Sequence, residues 1–308
     1  MSNQTERKIE IAMVGLDLTE MDDYILKYTR MICDHLKFQK IFFVHIAKDL
    51  ELPEEIRSKY PDLLAPLDES IEGDIRKKVR KYFEGCGAEL DVIIQEGSPI
   101  QKMLKLSKIK GVDLMIMGRK KSLKGSGIVA SHIARNSPCS LLLVTPNGYS
   151  DINKILVPLD FSPHSLLSIH QALDIVGGDH SKIVLAHIYS VPQGHTKIGK
   201  SYAEFSEIMK GHAESEYYGF MKKNQLPDGI PCHYLLDGFG KGVDSVYELA
   251  QKEAADLIVV GSKGRTNASA IFLGSFAEKL AYKDNNIPVF IVKDKGENLG
   301  FLQALLRI

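Results

Sequence analysis

Two tandem, doubly wound α/β domains are the fold this sequence predicts, and three observations predict it. Short continuous runs of Val, Ile and Leu recur along the chain, helix-length stretches separate them, and the whole pattern occurs twice. Continuous apolar strands joined by helix-length connections make a parallel sheet buried on both faces. The right-handed crossover rule then winds helices onto both sides of it.

The duplication is visible segment by segment. Ala12-Met-Val-Gly-Leu-Asp17 matches Ile155-Leu-Val-Pro-Leu-Asp160, and Phe42-Phe-Val-His-Ile46 matches Val184-Leu-Ala-His-Ile188. Asp113-Leu-Met-Ile-Met-Gly118 matches Asp256-Leu-Ile-Val-Val-Gly261, and Ser140-Leu-Leu-Leu-Val144 matches Pro288-Val-Phe-Ile-Val292. The register set by Asp17 and Asp160 still holds at Gly118 and Gly261, a period that means duplicated domains rather than a solenoid. In the second copy, strands are expected near 154–159, 182–189, 232–236, 256–260 and 288–292. Helices are expected over about 165–176, 202–223, 243–254 and 275–283. Ser162-Pro163 reads as an N-cap followed by a first-turn proline, and Thr19 is the candidate cap in the first copy. Pro146 to Ser150 is a turn-rich linker, which gives domains over 1–147 and 151–308.

The 308 residues suffice for two domains of ordinary size. Lys+Arg and Asp+Glu balance at 39 each, so no bulk charge draws the chain to nucleic acid or to an acidic membrane. The four cysteines are scattered without a Cys-x-x-Cys pair, which argues against a disulfide framework or zinc ribbon and for reduced thiols. The polar start lacks the apolar core of a signal peptide, and the longest apolar runs, such as Leu141 to Val144, are too short to span a bilayer. These features together read as a cytoplasmic protein.

The chemistry concentrates in Gly261-Ser262-Lys263-Gly264 and, after nine intervening residues, Gly274-Ser275. Two glycines let the backbone leave a buried strand tightly and approach a ligand. Ser275 opens a helical run, and amide N–H groups at a helix start favour an anion, most often phosphate. In an open parallel sheet ligands sit beyond the carboxyl ends of the strands, near the switch in strand order. Asp160 ends the first strand of the second copy and Gly261 the fourth. If those strands are neighbours, both face one crevice. A carboxylate there can hydrogen-bond a ribose hydroxyl or an adenine amine, and Lys263 or Arg265 can neutralise phosphate charge. The Ser275 hydroxyl and N–H, with the N–H of Phe276, can hold terminal phosphate oxygens.

Gly261-x-x-Gly264-x9-Gly274-Ser275, with the strands Asp256 to Gly261 and Ile155 to Asp160, resembles the ATP-binding signature of the universal stress protein family. The resemblance covers essentially the whole chain as two tandem domains. It implies an adenine nucleotide α-hydrolase-like fold of the universal stress protein type, a role in stress response, and ATP as ligand with Mg²⁺ or Mn²⁺ as its companion. It implies that Pro158 and Asp160 line the adenosine end and that Ile188, after the second strand, offers backbone groups to adenine. Val260, Gly261, Lys263 and Gly264 would wrap ribose and phosphates, and Gly274, Ser275 and Phe276 would contact the β- and γ-phosphates. The family's pairing through last strands implies an internal pseudo-dimer, with 140–144 against 288–292, and a homodimer is the further option. The first copy departs from the pattern: Lys121 takes the second glycine position, the loop is about four residues short, and Ile128 replaces the hydroxyl. A β-carbon at Lys121 would crowd a close phosphate.

Other features carry blander readings. Asp160 competes as a helix cap; Asp256, at the strand entry, is structural. His45 and His187 recur at one place in both copies and read as buried, hydrogen-bonded side chains. No histidine pair has metal-ligand spacing, so no protein metal site is expected. Gly238-Phe-Gly240-Lys-Gly242 lacks the final glycine of a dinucleotide fingerprint and follows the third strand, so it reads as a loop at the pocket rim. Neither a Walker A loop nor a Gly-x-Ser-x-Gly elbow is present. The tail 298–308 is amphipathic and suits packing on its own domain or capping a partner. The functional expectation is therefore ATP held by the second domain for signalling. The alternatives are slow ATP hydrolysis or self-phosphorylation on Ser275, and a nucleotide-free interaction scaffold.

Overall fold

The computed structural model describes residues 8–48, 67–119, 126–146, 151–192, 199–238, 240–264, 273–283 and 286–294. The chain divides into two compact units between Gly148 and Tyr149, and the second closes at Asp294. The tail 295–308, counted above with the second domain, lies outside the described residues, as do Lys121 and Arg265.

The first unit runs β1 (Ile11–Leu16), α1 (Met21–Leu36), β2 (Lys40–Ala47), α2 (Leu67–Phe83), β3 (Glu89–Glu96), α3 (Pro99–Ile109), β4 (Leu114–Gly118), α4 (Ser126–Asn136) and β5 (Ser140–Val144). Its strands lie in the order β3-β2-β1-β4-β5, all parallel. The second unit repeats this with β6 (Ile155–Leu159), α5 (Pro163–Ile175), β7 (Ile183–Tyr189), α6 (Tyr202–Lys223), β8 (Cys232–Leu236), α7 (Gly242–Lys252), β9 (Leu257–Gly261), α8 (Ser275–Tyr282) and β10 (Val289–Val292). Its order is β8-β7-β6-β9-β10, again parallel. The doubly wound expectation is borne out, and the strands of the second unit fall within one residue of their expected limits.

The central strands carry the core because both their faces are covered. Every residue of β6, β9 and β10 is buried, whereas the outer strand β8 is half-buried throughout. Matched polar devices hold the two sheets at their entry edges. The Asp113 carboxylate accepts the backbone N–H of Glu10 and Ile11 at 3.1 and 2.9 Å, and Asp256 accepts those of Asn153 and Lys154 at 2.8 and 3.0 Å. Asp256 is thus the structural residue expected. His45 Nδ1–H donates to the Leu16 carbonyl at 3.0 Å and His187 Nδ1–H to that of Leu159 at 2.8 Å, which satisfies both buried rings.

Helix starts explain themselves locally. Ser162 caps α5, accepting the N–H of Ser165 at 3.2 Å, with Pro163 in the first turn. Ser201 and Glu204 form a reciprocal capping box on α6. In the first unit the Thr19 hydroxyl accepts the N–H of Met21 at 3.3 Å at the start of α1, while Glu20 between them makes no side-chain bond. The buried Asp22 carboxylate takes the N–H of Asp17 and Leu18 at 3.0 Å each.

Burial pushes the thiols of Cys33 and Cys232 and the phenol of Tyr217 up to about 12. Tyr217 also donates to the Ile230 carbonyl at 2.5 Å. Unfolded thiols and phenols ionise near pH 8.5 and 10, so above about pH 9 the unfolded chain releases protons that the folded chain keeps. Stability is therefore complete below that pH and declines as pH rises toward 12. Urea unfolding of the full chain at pH 7, 9 and 11 should show falling midpoints, with a shallower fall in Cys232→Ser. An unchanged midpoint across that range would contradict this.

Candidate functional site

The crevice forms where β6 and β9 part. Their ladder contains only Ile155↔Leu257 and Leu156↔Ile258. The Lys154 carbonyl accepts from Asp256 N–H, so alternate residues 154, 156 and 158 turn their backbone groups toward β9. Pro158 stands at the next such position and has no N–H to continue the ladder. In the first unit Gly15 occupies this place and the β1–β4 ladder runs one pair further, to Val14↔Ile116.

Beyond β6 the chain turns sharply. Asp160 Oδ1 accepts the N–H of Ser162 at 3.1 Å, and Phe161 takes a left-handed backbone with φ of 61°. Leu18 repeats this conformation in the first unit with φ of 62°, beside Asp17 bonded to Thr19. Phe161 is held by ring contacts at 4.5 Å with His187 and 5.7 Å with Phe220. Asp160 is therefore the acceptor of the turn, while the cap of α5 is Ser162.

The glycines also make room for the protein's own groups. None of Gly261, Gly264 and Gly274 has positive φ. A β-carbon on Gly261 would lie 2.8 Å from the His164 carbonyl oxygen, and one on Gly264 would lie 2.8 Å from Asp160 Oδ2. One on Gly274 would come within 3.3 Å of the Ser262 carbonyl oxygen, which already accepts the Gly274 N–H at 2.7 Å. These residues let protein groups close on one another, and the Gly264 vacancy is what admits the Asp160 carboxylate.

A cavity of about 390 Å³ opens here, within the size range of small-molecule sites. All ten residues singled out from the sequence line it. Pro158, Asp160 and Ile188 stand on the β6–β7 side, and Val260, Gly261, Lys263 and Gly264 follow β9. Gly274, Ser275 and Phe276 stand at the start of α8. Ile188 lies inside β7, not after it, and its side chain fills the space over Gly242, where a β-carbon would meet Cδ1 at 3.0 Å. Gly274, as N-cap of α8, offers no side-chain acceptor, so the first-turn amides keep their attraction for an anion.

Two further charged residues line the cavity that sequence reading passed over, Asp237 and Lys279. Asp237 Oδ1 is buried without a hydrogen-bond partner, although its backbone N–H is held by Tyr189. The rim expected from the glycine-rich loop is present as Gly240 and Gly242. The cavity carries both signs of charge: Asp160 and Asp237 follow β6 and β8, Lys263 follows β9, and Lys279 stands on α8. In the first unit, the alignment that pairs Gly127 with Gly274 puts Gly127 inside α4 rather than at its cap.

Residues 8–145 and 151–293 each match the sequence profile of the Universal stress protein family. The chain belongs to the universal stress protein family. Two universal stress proteins of Methanocaldococcus jannaschii are similar to it. One is 31% identical over 149 residues, covering 48% of this chain and 85% of the relative. The other is 29% identical over 156 residues, covering 46% and 95%. Among solved structures, a functionally unknown Pseudomonas aeruginosa protein matches 100% of both chains with a TM-score of 0.65 at 16% identity. A universal stress protein of Archaeoglobus fulgidus matches 93% of this chain and 97% of its own, with a TM-score of 0.57 at 17% identity. These structural likenesses establish the tandem fold. No helix among the described residues is long and apolar enough to cross a membrane.

The Gly261 contact gives a direct test of the packing. Gly261→Ala must push a methyl group into the His164 backbone and should destabilise the protein by about 1–3 kcal/mol in urea unfolding. Wild-type stability in this variant would mean that the α5 start is not pressed on β9.

Proposed function

We propose that the second unit binds ATP and that the bound state signals in the stress response of the cytoplasm. What supports this reading is one observation: the spaced glycine-serine signature and the strand-end Asp160 converge on a single cavity, which Asp237, Lys263 and Lys279 also line. Asp160, whose Oδ1 also holds the N–H of Ser162, accepts a ribose hydroxyl on its carboxylate. Asp237 Oδ1 supplies a second acceptor, suited to the amine of adenine. Lys263 and Lys279 balance the phosphates, and the N–H groups of Ser275, Phe276 and Ala277 hold their oxygens.

The described residues contain no cluster of three metal-ligating side chains. A Mg²⁺ or Mn²⁺ ion accompanies the nucleotide, ligated mainly by phosphate oxygens. The first unit acts as scaffold, since its matching glycine lies within a helix.

Calorimetric titration with ATP tests the assignment. Ser275→Asp places a carboxylate in the first turn of α8, where it favours the helix but repels phosphate, so folding persists while ATP affinity is lost. Gly274→Asp should act in the same direction. Asp160→Ala should weaken binding roughly 10- to 100-fold, the worth of one hydrogen bond to a charged group. Unchanged ATP affinity in Ser275→Asp and Gly274→Asp would overturn the second-unit assignment.

A further inference from the structure

The first unit holds a feature unrelated to nucleotide. Cys33 lies on α1 and Cys86 in the turn after α2, yet their sulfurs stand 3.4 Å apart. Sequence spacing hides this pair, because 53 residues separate the two positions. Both cysteines are free thiols. A disulfide bond measures about 2.0 Å, so a closing movement of roughly 1.4 Å would join them. The remaining thiols are placed differently: Cys139 is buried against the Ser137 hydroxyl at 3.2 Å, and Cys232 lies in β8.

The two sulfurs are unequal. Cys33 is 5% exposed, and burial, reinforced by the neighbouring Cys86, holds it protonated. Cys86 is half-buried and within reach of solvent. It sits in a turn with Gly85 at φ of 71°, its own N–H bonded to the Phe83 carbonyl at 3.0 Å. Arg30, one helical turn before Cys33, interacts electrostatically with both sulfurs while pairing with Asp34. One thiol is thus within reach of solvent, with a second, sheltered thiol in contact to resolve the product.

We propose that Cys33 and Cys86 form an oxidisable dithiol, a site of reversible disulfide modification by hydrogen peroxide. The Cys86 thiolate attacks one peroxide oxygen; the O–O bond breaks, and with one proton the other oxygen leaves as water. Cys86 is now a sulfenic acid, oxidised by two electrons, and the peroxide is reduced. Cys33 sulfur then attacks the Cys86 sulfur, the S–O bond breaks, and the Cys33 proton joins the departing hydroxide as a second water. A dithiol reductant returns both thiols.

The test uses the full-length reduced protein, hydrogen peroxide in small excess, intact mass, thiol titration and peptide mapping. The expected result is a loss of about 2 Da with no added oxygen. Titratable thiols fall from the four of the reduced chain to two, the Cys33 and Cys86 peptides are linked, and dithiothreitol reverses the change. The linked form should melt at a higher temperature, because the bridge closes a long loop. Cys33→Ser should stop at the sulfenic acid, gaining about 16 Da and reacting with dimedone, whereas Cys86→Ser should leave Cys33 reduced. Overoxidation of Cys86 in the wild type without a bridge would overturn the proposal. So would a bridge between other cysteines, or a Cys86→Ser chain that oxidises at Cys33 as fast as the wild type.

Discussion

The second unit depends on a ladder that stops early. Parallel strands β6 and β9 share two register pairs and then separate, because Pro158 brings no N–H to the position where the ladder would continue. Everything at the candidate site follows from that parting. It leaves a cleft at the switch point of the sheet, with the Asp160 turn on one wall and the Gly261 loop on the other. Gly264 then gives Asp160 Oδ2 room to lean across. The cavity therefore carries both signs of charge, with carboxylates after β6 and β8 and ammonium groups after β9 and on α8.

The duplicated chain separates what the fold needs from what the site needs. Asp113 and Asp256, His45 and His187, and the left-handed residues Leu18 and Phe161 recur in both units with the same backbone partners or conformation. These hold the sheet entry, the strand exits and the turn. The cleft devices do not recur. Gly15 stands for Pro158, and Gly118 meets the side chain of Met21 where Gly261 meets the backbone of His164. The first unit keeps the architecture while carrying a thiol contact that the second unit lacks.

Much of this was legible in the sequence, for physical reasons. A doubly buried strand must be apolar throughout, so Leu257 to Val260 and Val289 to Val292 announce themselves. The spaced glycines mark a loop whose neighbours are close, and the family resemblance they carry implied the ten residues that prove to line one cavity. What those glycines are close to could not be read, because the His164 carbonyl and the Asp160 carboxylate are distant in sequence. Asp237 and Lys279 escaped for the same reason: one acidic and one basic residue among 78 charged side chains carry no signal until the fold turns them to one cavity. Cys33 and Cys86 likewise belong to different helical segments, and only the packing of α1 beside the end of α2 brings their sulfurs together.

The central claim is one working nucleotide site per chain, in the second unit. Mass spectrometry of the nucleotide released from gently purified protein, with the molar ratio to chain, tests it most directly. The account predicts ATP at about one molecule per chain after saturation with ATP and Mg²⁺. Two molecules per chain would mean that the first unit's shortened loop still holds phosphate. None at saturation would remove nucleotide binding from the account altogether.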